Sequence, residues 1–325
     1  MTLLTFEGAT FEVAQGESVL DALLRNDVDV PYSCRKGTCG TCMVRSTSGA
    51  APPASAQAGF RASQRAQGLF HACQCVPLGD MEVARPGAAA AVQAVVESKV
   101  MLASTVCRLR LKLPASFSYR AGQSILLQRS DGLMRSYSLA SVPHLDEYAE
   151  LHIRLFENGA MSRWIFEDVA PGDPLSVRGP FGDCMYMPGF EEASMLLLAT
   201  GTGFAPIIAI ARDALSQGHT GRIVIVHGVR HANDAYSRDS LQALAAEYPN
   251  VETMLCVSRG DAPAGFFPGR AVDVAFERFP NLGRWRVYLC GAPAAVAAAK
   301  KEAYLAGARM DDICADAFEQ SARSR

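Results

Sequence analysis

The chain changes rhythm twice along its length. In the first stretch, residues 3–6 and 10–13 are short β-favouring runs separated by Glu7-Gly8-Ala9, the pattern of a hairpin. Gly16 to Asn26 has helical spacing, with Val19, Ala22 and Leu23 on one face, Ser18 at the N-cap and Asp21 at the N3 position of a capping box. A strand at Met43–Ser46 follows, then a turn-rich stretch of Ala, Pro, Ser and Gln, then short runs at Gly68–Cys73 and Met81–Val83.

From about residue 94 the pattern is a series of β-type runs: Ala94–Val100, Val106–Leu113, Ser124–Gln128, Arg135–Leu139, Leu151–Phe156 and Leu175–Val177. Ala121-Gly122, Pro171-Gly172-Asp173 and Arg178-Gly179-Pro180 punctuate them, which predicts a small antiparallel barrel. Gly159-Ala160-Met161-Ser162 opens a helix running to Val169. From about residue 189 strands alternate with helices: strands at Met195–Ala199, Arg222–Val226, Glu252–Val257 and Arg286–Leu289, helices after Pro206, at Ser240–Glu247 and at Ala294–Leu305. That alternation predicts a parallel sheet covered on both faces. The expected architecture is therefore a multi-domain α+β and α/β chain: residues 1–88, an antiparallel barrel at 94–188 and a Rossmann-like parallel-sheet domain at 189–325, with a linker at 85–92 and a disordered polar tail at Glu319–Arg325.

Composition alters this picture little. The 325 residues are 49% hydrophobic and 20% charged, ordinary globular values, and a net charge of −2 argues against nucleic acid as a partner. Ala193 to Ala211 carries no charge and is long enough to invite a membrane reading, but Thr200-Gly201-Thr202-Gly203-Phe204-Ala205-Pro206 interrupts it, so a strand and a helix are expected instead. The N-terminus lacks the basic and apolar regions of a signal peptide, and a cytoplasmic protein is expected.

The ten cysteines carry more information. Cys34, Cys39 and Cys42 form C-x4-C-x2-C with Gly37 and Gly40 between them, the plant-type spacing for a 2Fe–2S cluster, and a fourth thiolate must come from Cys73 or Cys75. Glycine lets backbone N–H groups approach the cluster sulfurs closely. Zinc would ask for a second cysteine pair or histidines, and the nearest histidine is His71. On these residues the first stretch resembles a plant-type ferredoxin, a β-grasp fold. The resemblance implies Cys73 as the fourth ligand, because Ala72-Cys73-Gln74 matches the family's context; in an extended strand Cys75 would point to the opposite face. Arg35 and Lys36 lie inside the loop, either as a docking face or simply solvated.

In the barrel stretch, Arg135-Ser136-Tyr137-Ser138 offers a guanidinium for phosphate, a ring to lie against a planar cofactor and a hydroxyl donor. The helix start at Gly159, Met161 and Ser162 suits a pyrophosphate. Together they resemble the flavin domain of the ferredoxin–NADP reductase superfamily. That resemblance implies FAD held by Arg135, Ser136, Tyr137 and Ser138, with Ser138 near the flavin N5, and Arg154, Met161 and Ser162 along the pyrophosphate and ribityl region; His152 is either a cofactor contact or an outward strand residue.

Gly201-Thr202-Gly203 after a strand suits a pyrophosphate, with Pro206 in the first helical turn. With Cys290-Gly291-Ala292-Pro293 after a later strand it resembles the pyridine-nucleotide domain of the same superfamily. This implies Gly201, Thr202 and Gly203 between flavin and nicotinamide, and Cys290 near the nicotinamide; the other reading of Cys290 is a buried structural thiol. Arg230, with Asp234 four residues on, stands where a ribose-reading carboxylate is often found. Ser258-Arg259 resembles a 2′-phosphate pair, but its further Lys and Tyr are missing, so NADH is the expected donor and NADPH the alternative. Phe318 matches an aromatic that lies against the flavin ring.

The order of the three parts resembles the single-chain reductases of bacterial aromatic-ring dioxygenases, of the naphthalene and benzoate types, over nearly the whole chain. The resemblance implies hydride transfer from NAD(P)H to FAD, single-electron passage through a 2Fe–2S cluster, and export to a terminal Rieske-type oxygenase or an intermediate ferredoxin, with no membrane partner. The competing customers are a di-iron monooxygenase and a deoxysugar dehydratase; a non-catalytic electron carrier is a third reading.

Overall fold

The computed structural model describes residues 2–87 and 91–318, in two compact units, Met1–Ala88 and Ala89–Arg325. The linker residues 88–90 and the tail Glu319–Arg325 lie outside the described residues.

The first unit begins with the hairpin β1 (Thr2–Phe6) and β2 (Ala9–Val13), followed by α1 (Val19–Arg25), β3 (Met43–Gly49), α2 (Ala62–Ala66), β4 (Leu69–His71) and β5 (Met81–Ala84). The sheet order is β2-β1-β5-β3-β4, with β1 and β5 parallel and the other pairs antiparallel. Helix α1 packs Val19, Leu20, Ala22 and Leu23 on this sheet, and each fully buried leucine contributes about 1.5–3 kcal/mol. Ser18 caps the helix by accepting from the Asp21 N–H, but only half of the expected capping box forms. The Asp21 carboxylate takes the Ser18 hydroxyl at 2.6 Å and pairs with Arg35 at 3.0 Å. The expected strand through Cys73 stops at His71; Ala72–Gln74 instead turn tightly, and the helix start is pinned by Val19 N–H donating to the Cys75 carbonyl.

The second unit opens with an antiparallel sheet of β6 (Val92–Ala103), β7 (Val106–Lys112), β8 (Ser124–Gln128), β9 (Met134–Ser138), β10 (Ala149–Arg154) and β11 (Pro174–Phe181), with α3 (Ala160–Glu167) between β10 and β11. The order is β10-β7-β6-β11-β8-β9, and a bridge between Leu139 and Leu151 brings the two edges together, closing the barrel. Period-two alternation sends Ala149, Leu151 and Ile153 into the core and leaves Glu150, His152 and Arg154 on the outer face.

The parallel sheet then comprises β12 (Met195–Thr200), α4 (Phe204–Ser216), β13 (Ile223–Val229), α5 (Arg238–Glu247), β14 (Val251–Val257), β15 (Phe267–Pro268), α6 (Ala271–Arg278), β16 (Arg286–Gly291), α7 (Pro293–Leu305) and β17 (Ile313–Ala317). Its order is β15-β14-β13-β12-β16-β17. One core lies under α4 and α5, the other under α6 and α7. The charge-free stretch 193–211 divides into β12 and α4, and among the described residues no helix is long and apolar enough to cross a membrane. Because β13 and β16 flank β12 on opposite sides, the switch point of the sheet lies between the carboxyl ends of β12 and β16, where such sheets hold ligands.

Candidate functional site

In the first unit the loop between α1 and β3 carries Cys34, Cys39 and Cys42, and the turn after β4 carries Cys73. Cys34 interacts with Cys39 and Cys42 with Cys73, and Cys39 also acts on Cys42. Among the described residues no three histidine, cysteine or carboxylate groups converge on one point as a single ion would require. Four such thiols suit a binuclear cluster with two thiolates on each iron. The surrounding donors aim at sulfur: the Thr38 hydroxyl (3.4 Å) and Lys36 N–H (3.3 Å) at Cys34, the Thr41 hydroxyl at Cys39 (3.2 Å), and the Gln74 amide at Cys73 (3.7 Å). The Thr38 hydroxyl first, then the loop amides, bring the Cys34 thiol down to about 5. Burial pushes Cys75, in the core, up to about 12. Cys42 is also raised, to about 11, but it faces Cys73. The donor set fits a 2Fe–2S cluster on Cys34, Cys39, Cys42 and Cys73. The chain does not run as an extended strand here: it turns at 72–74, and Cys75 is buried in the core.

In the second unit four segment ends meet: Ser138 at the end of β9, the turn 201–203, Cys290-Gly291 at the end of β16, and Asp316 to Phe318 at the end of β17. The Ser138 hydroxyl donates to Asp316 Oδ2 at 3.0 Å, and Asp316 is paired in register with Cys290. Burial raises the Asp316 carboxyl and the Ser138 hydrogen bond opposes that rise. Phe318 is fixed by its N–H donating to the Gly291 carbonyl (2.8 Å). A Cβ at Gly203 would collide with the Cys290 carbonyl, so glycine is what allows the turn to lie against β16. Thr200 Oγ1 accepts from Ala292 N–H at 3.0 Å, tying the start of α7, with Pro293 at its first position, to β12. Arg154 reaches toward the 201–203 turn, its guanidinium 3.7 Å from the position of a Gly201 Cβ.

Three expected residues play different parts. Met161 is buried in the barrel core. Ser162 donates to the Gly159 carbonyl and accepts from Phe156 N–H, both at 3.1 Å, so its hydroxyl shapes the turn before α3. His152, on the outer face of β10, is bonded to Glu150 at 3.1 Å and to the Tyr236 hydroxyl at 3.2 Å, which cover it there. Despite burial, which raises it, Glu150 is held at about 2 by His152 and Arg110. Of the flavin strand, Arg135 and Tyr137 share one face and Ser136 and Ser138 the other. Among the described residues the Arg135 side chain donates to the neighbouring Met134 carbonyl (2.7 Å), one of its five N–H groups, and the others suit a phosphate.

Asp316 and His227 carry no motif of their own in the sequence; their contacts are seen only in the fold. His227 Nε2 lies 2.8 Å from the Gly201 carbonyl and therefore carries the proton; Nδ1 accepts from the Ser237 hydroxyl at 2.6 Å. Full burial lowers its pKa to about 4, which keeps this arrangement neutral. At the ribose end, Arg259 N–H donates to the Arg230 carbonyl (2.9 Å), placing the two arginines side by side, while the Ser258 hydroxyl donates to the Val229 carbonyl at 3.2 Å. Asp234 accepts from His231 N–H. The residues around the crevice fit a flavin and a pyridine nucleotide: a glycine turn ahead of a long helix, unspent guanidinium donors, and a hydroxyl–carboxyl pair at the switch point.

Comparison with known proteins gives the same three parts. Residues 4–78 match a 2Fe-2S iron-sulfur cluster binding domain, 93–186 an oxidoreductase FAD-binding domain and 197–301 an oxidoreductase NAD-binding domain. The chain is 33% identical, over 94% of its own length and 94% of the relative's, to the ferredoxin–NAD(P)+ reductase component of the naphthalene 1,2-dioxygenase/salicylate 5-hydroxylase systems of a Ralstonia species. It is 35% identical, over 90% of its length and 91% of the relative's, to the reductase subunit of an aromatic O-demethylase from an Amycolatopsis strain. A crystal structure of an Amycolatopsis cytochrome P450 reductase superposes with a TM-score of 0.68 at 32% identity, over 98% of this chain and 99% of that one.

Proposed function

Because the chain belongs to the family of ferredoxin–NAD(P)+ reductase components of oxygenase systems, we propose that it supplies single electrons from NADH to a terminal ring-hydroxylating oxygenase of the Rieske type. It is an iron–sulfur flavoprotein oxidoreductase. The observation that carries the residue assignment is the contact of Ser138 with Asp316 at the meeting of the barrel and the parallel sheet. When bound, the nicotinamide supplies a hydride, the flavin accepts it as an electron pair and releases electrons singly, and the cluster carries one at a time.

Ser138 would offer its hydroxyl to the reacting edge of a bound flavin, and Asp316, which accepts from that hydroxyl at 3.0 Å, would fix its direction. Arg135 and Arg154 bind phosphate, and Tyr137 gives the flavin an apolar wall. The Gly201–Gly203 turn and the start of α4 receive the nucleotide pyrophosphate, with His227 fixing the Gly201 carbonyl. Cys290, fully buried behind the turn, and Phe318 exclude water from the reacting faces. Cys34, Cys39, Cys42 and Cys73 hold the cluster.

NADH is kept as the donor because Ser258 spends its hydroxyl on Val229 and the rest of a 2′-phosphate pattern is missing. Arg230 and Arg259 nevertheless let NADPH serve more weakly. Arg259→Ala should raise the KM for NADPH about tenfold, the scale of one charge-assisted hydrogen bond, and leave the KM for NADH within about twofold. Equal effects on both nucleotides in steady-state assays would contradict this.

A second acceptor class is favoured by one observation, the 32% identity to a cytochrome P450 reductase across the whole chain. Stopped-flow mixing of the NADH-reduced protein with a Rieske oxygenase component, and separately with a P450, decides between them. Faster oxidation by the Rieske component supports the proposal; faster oxidation by the P450 overturns the choice of acceptor.

A further inference from the structure

His71 immediately precedes the turn that carries Cys73, and it is 6% exposed. Its Nδ1 is buried with no hydrogen-bond partner, whereas buried polar atoms are normally satisfied. Strand β4 fixes its direction: His71 pairs in register with Met43, and the next residue donates Ala72 N–H to the Cys42 carbonyl at 3.0 Å. Phe60 packs on it with ring centroids 4.5 Å apart and the planes tilted by 48°, and Nδ1 lies 3.5 Å from where a Cβ on Gly37 would stand. Gly37 is in the middle of the cysteine loop, and a side chain there would also strike Gln74. The orphan atom therefore faces the loop whose amides and hydroxyls already aim at sulfur.

Among the described residues Nδ1 has no hydrogen-bond partner. The acceptors a 2Fe–2S site would add are its thiolate and sulfide sulfurs, and hydrogen bonds to those sulfurs are one of the levers that set reduction potential. We propose that His71 donates its Nδ1 proton to a sulfur of the 2Fe–2S cluster and so raises the cluster's reduction potential. This rests on the reading of Cys34, Cys39, Cys42 and Cys73 as the cluster ligands. A hydrogen bond to an anionic acceptor stabilises the more negative, reduced form more than the oxidised one. His71 thus favours movement of an electron onto the cluster without touching the flavin.

The test uses the full holoprotein. His71→Phe keeps the planar packing against Phe60 but removes the donor. His71→Asn places an amide N–H close to the position of Nδ1. In redox titrations followed by EPR, His71→Phe should shift the one-electron equilibrium of the cluster about tenfold toward the oxidised form, about 59 mV lower. His71→Asn should stay within about threefold of the parent. The unsubstituted protein provides a check independent of any variant's folding. His71 is the only histidine between residues 1 and 88, so with 15N-labelled histidine the reduced cluster should show a weak nitrogen coupling in pulsed EPR, and that coupling should vanish in His71→Asn. An unchanged potential in iron-loaded His71→Phe, or no histidine coupling in the reduced protein, overturns the proposal while leaving the cluster in place. Absence of any iron–sulfur signal overturns the ligand assignment as well.

Discussion

Cys73→Ser should reduce NADH-driven reduction of cytochrome c about 100-fold or more while leaving NADH-driven reduction of ferricyanide within about twofold. The reason is the division of labour between the two units. Ferricyanide takes electrons from a reduced flavin, so it reports on the second unit alone. Cytochrome c, as a stand-in for the protein acceptor, reports on the cluster. Cys73 pairs with Cys42, and serine offers a harder, more basic ligand there. Cys75→Ala is the informative control. Cys75 sits in the core with its thiol pushed up to about 12 by burial, so its loss should cost stability without removing the cluster signal. If Cys75→Ala abolished the reduced-cluster EPR signal and Cys73→Ser did not, the ligand assignment would be reversed.

The second large effect is expected at the flavin. Ser138→Ala should slow anaerobic bleaching of the flavin by NADH about 100-fold, the scale found when one positioned donor is removed from a reacting centre, with FAD still bound after purification. The hydroxyl is 3.0 Å from Asp316 and lies at the end of β9, while Arg135, proposed to bind phosphate, lies three residues earlier. Loss of rate without loss of FAD separates these roles. An unchanged bleaching rate would remove Ser138, and Asp316 with it, from the reacting centre.

Much of this organisation was legible in the sequence because it is written in local spacing. The C-x4-C-x2-C loop and the strand–turn–helix from Met195 need only neighbours along the chain and form as read, while the strand expected at Leu151–Phe156 starts two residues earlier, at Ala149–Arg154. What escaped depends on pairing between distant segments. Asp316 matters because β17 lies beside β16 and its end meets β9, a contact between residues 138 and 316 that no window can contain. His227 looks like one more apolar-strand residue until Gly201 and Ser237 are found on its two nitrogens. Helix α6 was passed over because its eight residues between Arg270 and Phe279 are too few for a strong periodic signal. Met161 was given a cofactor role by motif position but lies in the barrel core, and His152 lies on the outer face of β10, where Tyr236 covers it. The turn at 72–74 is set by tertiary contacts, Ala72 with Cys42 and Cys75 with Val19, so an extended reading of that segment put Cys75 on the wrong footing while still choosing Cys73.

The central claim is that electrons from NADH reach the cluster through this one chain. Anaerobic titration of the purified holoprotein with NADH, followed by optical and EPR spectroscopy, tests it directly. The account predicts loss of flavin absorbance together with growth of a reduced 2Fe–2S EPR signal that Cys73→Ser eliminates. Full bleaching of the flavin with the cluster left oxidised would contradict it.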